Sequence, residues 1–203
     1  MIPQHLSNSF EHATPKFIVD PAREVLGKID LDPASCMEAN KTVRATIYYS
    51  PPHCGLTYPW FGRIFLNPPG GAFVVTKKMR TSMPAEEADE LAEQFAAEAE
   101  RWKTKSRAVA WWRKLTEEYV DGRTQEAIFI GFSLDILQAS QGEEWLDILK
   151  FPLCVPEKRI QFDSNGKAGK APTHGNVIVY LPHRAGDSQK FAEAFADIGS
   201  VSI

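Results

Sequence analysis

The sequence predicts an α/β fold, with helices packed on a mixed sheet whose C-terminal strands form an antiparallel pair. Three observations predict it. Ala127-Ile128-Phe129-Ile130-Gly131-Phe132 is a near-continuous apolar run, as in a strand covered on both faces. Residues 63–66 are strand-like and stop at Asn67-Pro68-Pro69-Gly70, because neither proline can donate to a ladder and each biases the residue before it towards extended backbone. Between these two runs, apolar residues recur at helical spacing. With 203 residues, 43% hydrophobic and 24% charged, the chain has the composition of one globular domain with a sizeable core.

Residues 1–13 are polar and irregular and read as an N-terminal arm ahead of a single domain over 14–203. Thr14 is placed to N-cap a helix with Pro15 in its first turn. Phe17, Ile18, Ala22, Val25 and Leu26 then share one face, and Gly27 closes the helix. In Ile29-Asp30-Leu31-Asp32-Pro33-Ala34-Ser35 the apolar residues alternate with acids, as on a short strand. Ser35 to Glu38 matches a capping box, which predicts a helix over 36–45. Residues 45–49 are strand-like and 50–55 are a turn cluster. Trp60 and Tyr58 precede the 63–66 strand and read either as walls of a pocket or as plain core.

Phe73 begins a new segment after Gly70-Gly71. Ala88, Leu91, Phe95, Ala99 and Trp102 mark an amphipathic helix over 84–100, with a solvated acidic face. Residues 133–150 read as helical. Residues 159–162 and 177–181 read as the terminal antiparallel pair, joined by a polar loop carrying Lys167, Lys170 and His174. A short helix with Phe191, Phe195 and Ile198 on one face closes the chain.

Two stretches carry chemistry. An amide at the carboxyl end of a strand, stiffened by two prolines, can accept hydrogen bonds from an exocyclic amino group through Asn67 Oδ1 and the Pro68 carbonyl. Carbonyls fixed in advance hold charge that develops as that nitrogen attacks an electrophilic methyl. The tripeptide alone is equally a strand ending in a proline turn. At 30–35, carboxylates at a strand end are followed by the start of a helix. Together they offer partners for the ribose, the carboxylate and the sulfonium of S-adenosylmethionine. The same residues read alternatively as a solvated loop before a capped helix.

Residues 101–114 carry six bases, three tryptophans and no acid. Bases interleaved with aromatics are what a nucleic-acid surface needs, although a helix with Trp111 in the core fits the pattern as well. The net charge of -3 leaves a nucleic-acid partner open, since a local patch is what counts. The three cysteines, Cys36, Cys54 and Cys154, form no C-x-x-C pair, and His53 beside Cys54 has no second pair at metal spacing. No metal site is expected. With no signal-peptide pattern at 1–11 and no apolar run of membrane-spanning length, a cytoplasmic protein with no membrane partner is expected.

As an ordered set, these stretches resemble the phage-type DNA N6-adenine methyltransferase family, which is Dam-like. The resemblance is carried by Thr14-Pro15, residues 22–27, Ile29-Asp30-Leu31-Asp32-Pro33-Ala34-Ser35, Glu38-Ala39-Asn40, Gly55-Leu56, Pro59-Trp60, Gly62-Arg63 and Asn67-Pro68-Pro69. It continues through 151–154, 159–162 and 171–177. It covers most of 14–182, with a helical insertion at about 76–107.

The resemblance implies a Rossmann-like S-adenosylmethionine-dependent methyltransferase acting on adenine in double-stranded DNA, in a bacterial cell and of phage or prophage origin. It implies a catalytic set of Asn67, Pro68, Pro69 and Gly70. It places Thr14, Pro15, Asp30, Asp32, Pro33, Ala34 and Ser35 on the cofactor side. Arg101, Lys103, Lys105, Lys167 and Lys170 are the expected DNA contacts. The family usually has an aromatic after Asn-Pro-Pro, where this chain has Gly70; Phe73 is the nearest substitute. It also commonly has an aromatic pair where this chain has His12-Ala13. The departures leave open a methyltransferase-like protein that binds DNA or cofactor without turnover. Transfer to RNA or to a protein amide is a further alternative. Only about 35 residues separate Asp32 from Asn67, too few for three further strand–helix units, so the sheet is either reduced or permuted.

Overall fold

The computed structural model describes residues 12–50, 55–141, 146–164, 167–168 and 174–203. The chain opens with β1 (His12–Ala13), α1 (Lys16–Leu26), β2 (Leu31–Asp32), α2 (Met37–Val43), β3 (Ile47–Tyr48) and β4 (Gly62–Leu66). Three helices follow, α3 (Lys77–Ser82), α4 (Ala85–Arg101) and α5 (Arg107–Val120), before β5 (Thr124–Phe132) and α6 (Ser133–Ala139). The C-terminal part holds β6 (Leu153–Pro156), β7 (Asp163–Ser164), β8 (Lys167–Ala168), β9 (Asn176–Leu181), α7 (Ser188–Phe195) and β10 (Gly199–Ser202).

Seven strands form one mixed sheet in the order β10-β6-β9-β5-β4-β2-β3. β3, β2, β4 and β5 are mutually parallel; β9 runs antiparallel to β5, and β6 and β10 continue antiparallel from it. This order is compatible with a Rossmann-like fold. The chain returns from β3 directly to β4, so β3 is the edge strand of the parallel half, which holds β3, β2, β4 and β5 among the described residues. A separate small sheet, β1-β7-β8, ties the segment before α1 to the antiparallel strands β7 and β8.

Strand alternation divides the core. Ile64, Leu66, Ala127, Phe129, Val177 and Val179 face the layer that contains Trp111, Trp112 and Leu115 of α5. Phe65, Ile128, Ile130, Ile178 and Tyr180 face α1 and α7, through Ile18, Ala22, Phe191 and Phe195. Helices therefore cover both faces, and this is why β5 is apolar almost throughout.

Several expectations are corrected. Thr14 does not cap α1: the N-cap is Pro15, and the Thr14 hydroxyl is engaged elsewhere. Ser35 does not cap α2 either. Its N–H donates to the Tyr49 carbonyl at 2.9 Å, which holds it in line with β3, and Cys36 becomes the cap, its Sγ accepting from the Ala39 N–H. The helical reading of 133–150 shrinks to α6 and a 3₁₀ turn at Ile148–Lys150.

Residues 159–162 are not a strand. Ile160 is buried and its N–H donates to Asn176 Oδ1, while Phe162 leans on Phe132, so a loop lying against the core reproduces the alternation of a strand. The partners of β9 are β5 and β6, and β6 was obscured in the sequence by Pro152 and Pro156. The last element is β10 rather than a helix.

Candidate active site at a reversal of strand order

From β2 the chain moves outward to β3 through α2, then returns past β2 to β4 and moves the other way to β5 through α5. The packing of α2 and α5 on opposite faces follows from right-handed crossovers in opposite directions. β2 and β4 are thus neighbours across the point where strand order reverses, and ligands of open α/β sheets bind beyond the carboxyl ends of such strands. Those ends are Asp32 on β2 and Asn67 after β4. Leu31 is paired with Ile64, so Asn67 stands two residues, about 7 Å, further along the strand direction than Asp32.

Asn67 is half-buried, and its Nδ2 donates to Thr14 Oγ1 at 3.0 Å. Thr14 is itself buried, at 4% exposure, between β1 and the Pro15 cap. The first and last pieces of the N-terminal resemblance, 53 residues apart, meet in this bond. Pro68 is buried and Pro69 half-buried, so the turn is anchored in the fold.

Asp32 is 3% exposed. It follows Leu31, which faces α5, and so it lies on the α1 side with Thr14 and Asn67. Burial pushes its carboxyl up to about 7, against the opposing pull of the Ser35 side chain and the Ala34 N–H. No cation among the described residues pairs with it. A buried carboxyl with a raised pKa at a strand end makes Asp32 a candidate site residue.

The neighbouring acid behaves differently. Asp30 binds the Arg63 Nε at 3.0 Å and Lys28 Nζ at 2.7 Å and accepts the Arg63 N–H. Burial works against its charge, but the bonds from Lys28 and Arg63 outweigh it and hold the carboxyl below its usual range. Asp30 therefore clamps β2 to β4 at their amino ends and leaves the site. The amides of the Pro33-Ala34-Ser35 turn are committed within the fold: Ala34 N–H to Asp32 and Ser35 N–H to Tyr49. The turn therefore offers an anion no amide from Ala34 or Ser35.

Gly55 explains how the turn is held. A Cβ there would lie 2.0 Å from the Pro33 carbonyl oxygen and 2.7 Å from the Trp111 ring, so only glycine lets the two loops meet. Trp60 stacks on Trp111 at 5.9 Å and donates to the Gly55 carbonyl; it is floor, whereas Tyr58 is exposed and leans on Tyr49. The Gly55–Pro33 approach is a feature that sequence reasoning missed, although Gly55 stood within the resemblance.

Beyond the turn, Gly70 is exposed, and a Cβ there would touch nothing within 4 Å. Phe73 does not replace the missing ring. It is 8% exposed and packs edge-on against Phe95 at 5.7 Å, in the core beneath α4. The same loop is joined to the basic segment: Arg107 N–H donates to the Gly71 carbonyl at 3.0 Å, and Ala72 bridges Ser106.

In that segment Arg101, Lys103 and Lys105 are exposed. Arg101 lies over the Trp102 ring at 4.9 Å. The tryptophans are not stacking platforms, because Trp102, Trp111 and Trp112 are all buried. Lys114 is buried in an ion pair with Glu118, and Arg113 donates to the carbonyls of Trp102 and Lys103. Glu98 also leaves the solvated acidic face, buried where it accepts from Trp102 Nε1. Lys167 lies on β8; Lys170, His53 and Cys54 fall outside the described residues.

At the amino ends of β4 and β5, away from Asn67, a hollow of about 230 Å³ is lined by Arg63, Glu126, Arg184 and Lys190 among others. Arg63 there is paired with Asp30 and Lys190 with Glu126. Comparison of the chain with family models, with curated proteins and with solved structures gives no match. No helix among the described residues is long and apolar enough to cross a membrane.

Proposed function

We propose that the protein is an S-adenosylmethionine-dependent methyltransferase that modifies the N6 amino group of adenine in double-stranded DNA. The observation that carries this reading is that Asp32 and Asn67 stand at the carboxyl ends of the two adjacent parallel strands that flank the reversal of strand order. One end offers an amide and a proline carbonyl to an amino group; the other offers a buried acid to a cation.

The residues fit the cofactor at one point in particular. An unpaired buried carboxylate is costly, and a sulfonium or ammonium group beside Asp32 would offset that cost. S-adenosylmethionine, when bound, would supply the methyl as an electrophile, its methyl–sulfur bond breaking as the bond to nitrogen forms and the neutral thioether leaving. Asn67 Oδ1 and the Pro68 carbonyl accept the two N6 hydrogens, turn the nitrogen lone pair outward and stabilise the positive charge that builds on nitrogen as its new bond to carbon forms. One N6 proton then leaves to solvent and the amine is neutral again. Adenine leaves the duplex stack to reach Asn67, at about a few kcal/mol. The exposed Arg101, Lys103 and Lys105, tied through the 105–107 backbone to the Gly71–Phe73 loop, supply charge for phosphates beside the site.

The open space at Gly70, with Phe73 buried, favours a second reading: a protein of this design that binds DNA and cofactor with little or no turnover. Labelled methyl transfer from S-adenosylmethionine to unmethylated DNA separates the two. Transfer that is lost in Asn67→Ala is expected; cofactor binding without transfer would favour the second.

A further inference from the structure

We infer that Thr14 is a positioning residue that fixes which end of the Asn67 amide faces the substrate; the inference rests on the methyl-transfer reading above. A side-chain amide is planar, with a donor end and an acceptor end that exchange on a half-turn about its last torsion. That torsion is broad and two-fold, so the amide alone has little preference. The chemistry is not indifferent. An exocyclic amino group donates, and it needs the oxygen; the reversed amide would set NH₂ against NH₂.

The bond from Asn67 Nδ2 to Thr14 Oγ1, at 3.0 Å, occupies the donor end and turns the oxygen away from Thr14. Thr14 can serve as a fixed point because it is held on both sides. Before it, Ala13 is paired with Asp163 in the small sheet; after it, Pro15 restricts its backbone and begins α1. At 4% exposure its hydroxyl is shielded from bulk water, so solvent competes little for the bond. This gives Thr14 a task on the amino-group side of the site, where the resemblance placed it with the cofactor.

The test compares Thr14→Val, which keeps the shape and removes the acceptor, with Thr14→Ser, which restores it. For Thr14→Val we expect kcat on unmethylated DNA to fall roughly tenfold, the loss of one neutral hydrogen bond, with KM for DNA little changed. Thr14→Ser stays close to the wild type. The stoichiometry of S-adenosylmethionine binding by calorimetry stays at the wild-type value in both, which a partly unfolded preparation would not maintain. In the free protein, the Asn67 side-chain amide protons, assigned by NMR against Asn67→Ala, shift and exchange faster in Thr14→Val. Wild-type kcat in Thr14→Val, a loss in Thr14→Ser as deep as in Thr14→Val, or unmoved amide protons would each overturn the inference. Absence of transfer by the wild type would overturn the methyl-transfer reading instead, and the amide protons would still decide whether Thr14 holds Asn67.

Discussion

The backbone N–H of Phe73 donates to the carbonyl of Lys105 at 2.9 Å. The loop leaving the Asn67 turn and the basic loop ahead of α5 are thereby one structural unit, although 32 residues and two helices separate them in sequence.

Charge reversal in that unit is expected to act on DNA binding alone. Arg101→Glu, Lys103→Glu and Lys105→Glu together should weaken binding to duplex DNA and flatten its salt dependence by about one logarithmic slope unit for each phosphate that is no longer neutralised. Titrations at several salt concentrations measure this. Unchanged affinity would remove the 101–105 loop from the interface.

Lys114 gives the contrasting case. It belongs to the same basic stretch, but Lys114→Met leaves Glu118 buried with only Arg123 for a partner. Leaving a buried charge wholly uncompensated costs about 3–5 kcal/mol, and the Arg123 pair that Glu118 keeps holds the loss to the lower end of that range. Denaturant unfolding should show a loss of that order, while the DNA affinity of the folded fraction stays at the wild-type value.

Gly70→Tyr should be tolerated by the fold, because nothing lies within 4 Å of the added Cβ and the backbone there is not left-handed. Base–aromatic stacking is worth about 1–3 kcal/mol, so a ring at this position is expected to raise kcat/KM on DNA roughly ten- to hundredfold. Phe73→Ala should instead cost about 3 kcal/mol of stability, as for a core phenylalanine. No gain of activity in Gly70→Tyr, with a loss of activity but not of stability in Phe73→Ala, would reverse these assignments.

Asp32 makes stability and binding respond to pH in opposite senses. Well below pH 4 its carboxyl is protonated in folded and unfolded chains alike. As pH rises towards 7 the unfolded chain ionises first, because burial holds the folded carboxyl up to about 7, so the folded state loses ground over this window. Asp32→Asn removes that loss: its Tm should match the wild type near pH 4 and exceed it by several degrees at pH 8. Affinity of the wild type for S-adenosylmethionine should rise through pH 7 as the acid ionises, and the variant should be weaker and flat. Calorimetry across this range measures both.

The strands that flank the site were legible because their signals are local. The 63–66 run stops at two prolines, and the 29–32 run alternates. The division of labour between Asp30 and Asp32 was not legible, since both occupy one face of a short strand. Only the position of Arg63 on the next strand turns Asp30 into a clamp and leaves Asp32 alone. The tryptophans of 102–112 misled for a related reason. Spacing shows that they recur, and burial beneath a sheet decides that they are core. Thr14 had the composition of a cap, but its partner lay 53 residues away, where no local pattern reaches.

The most direct measurement is transfer of labelled methyl from S-adenosylmethionine to unmethylated duplex DNA, by the wild type and by Asn67→Ala side by side. Label incorporated as N6-methyladenine by the wild type and absent in the variant is the predicted result. Label found in RNA or protein but not in DNA, or equal incorporation by both proteins, would contradict the assignment of Asn67 to an adenine amino group.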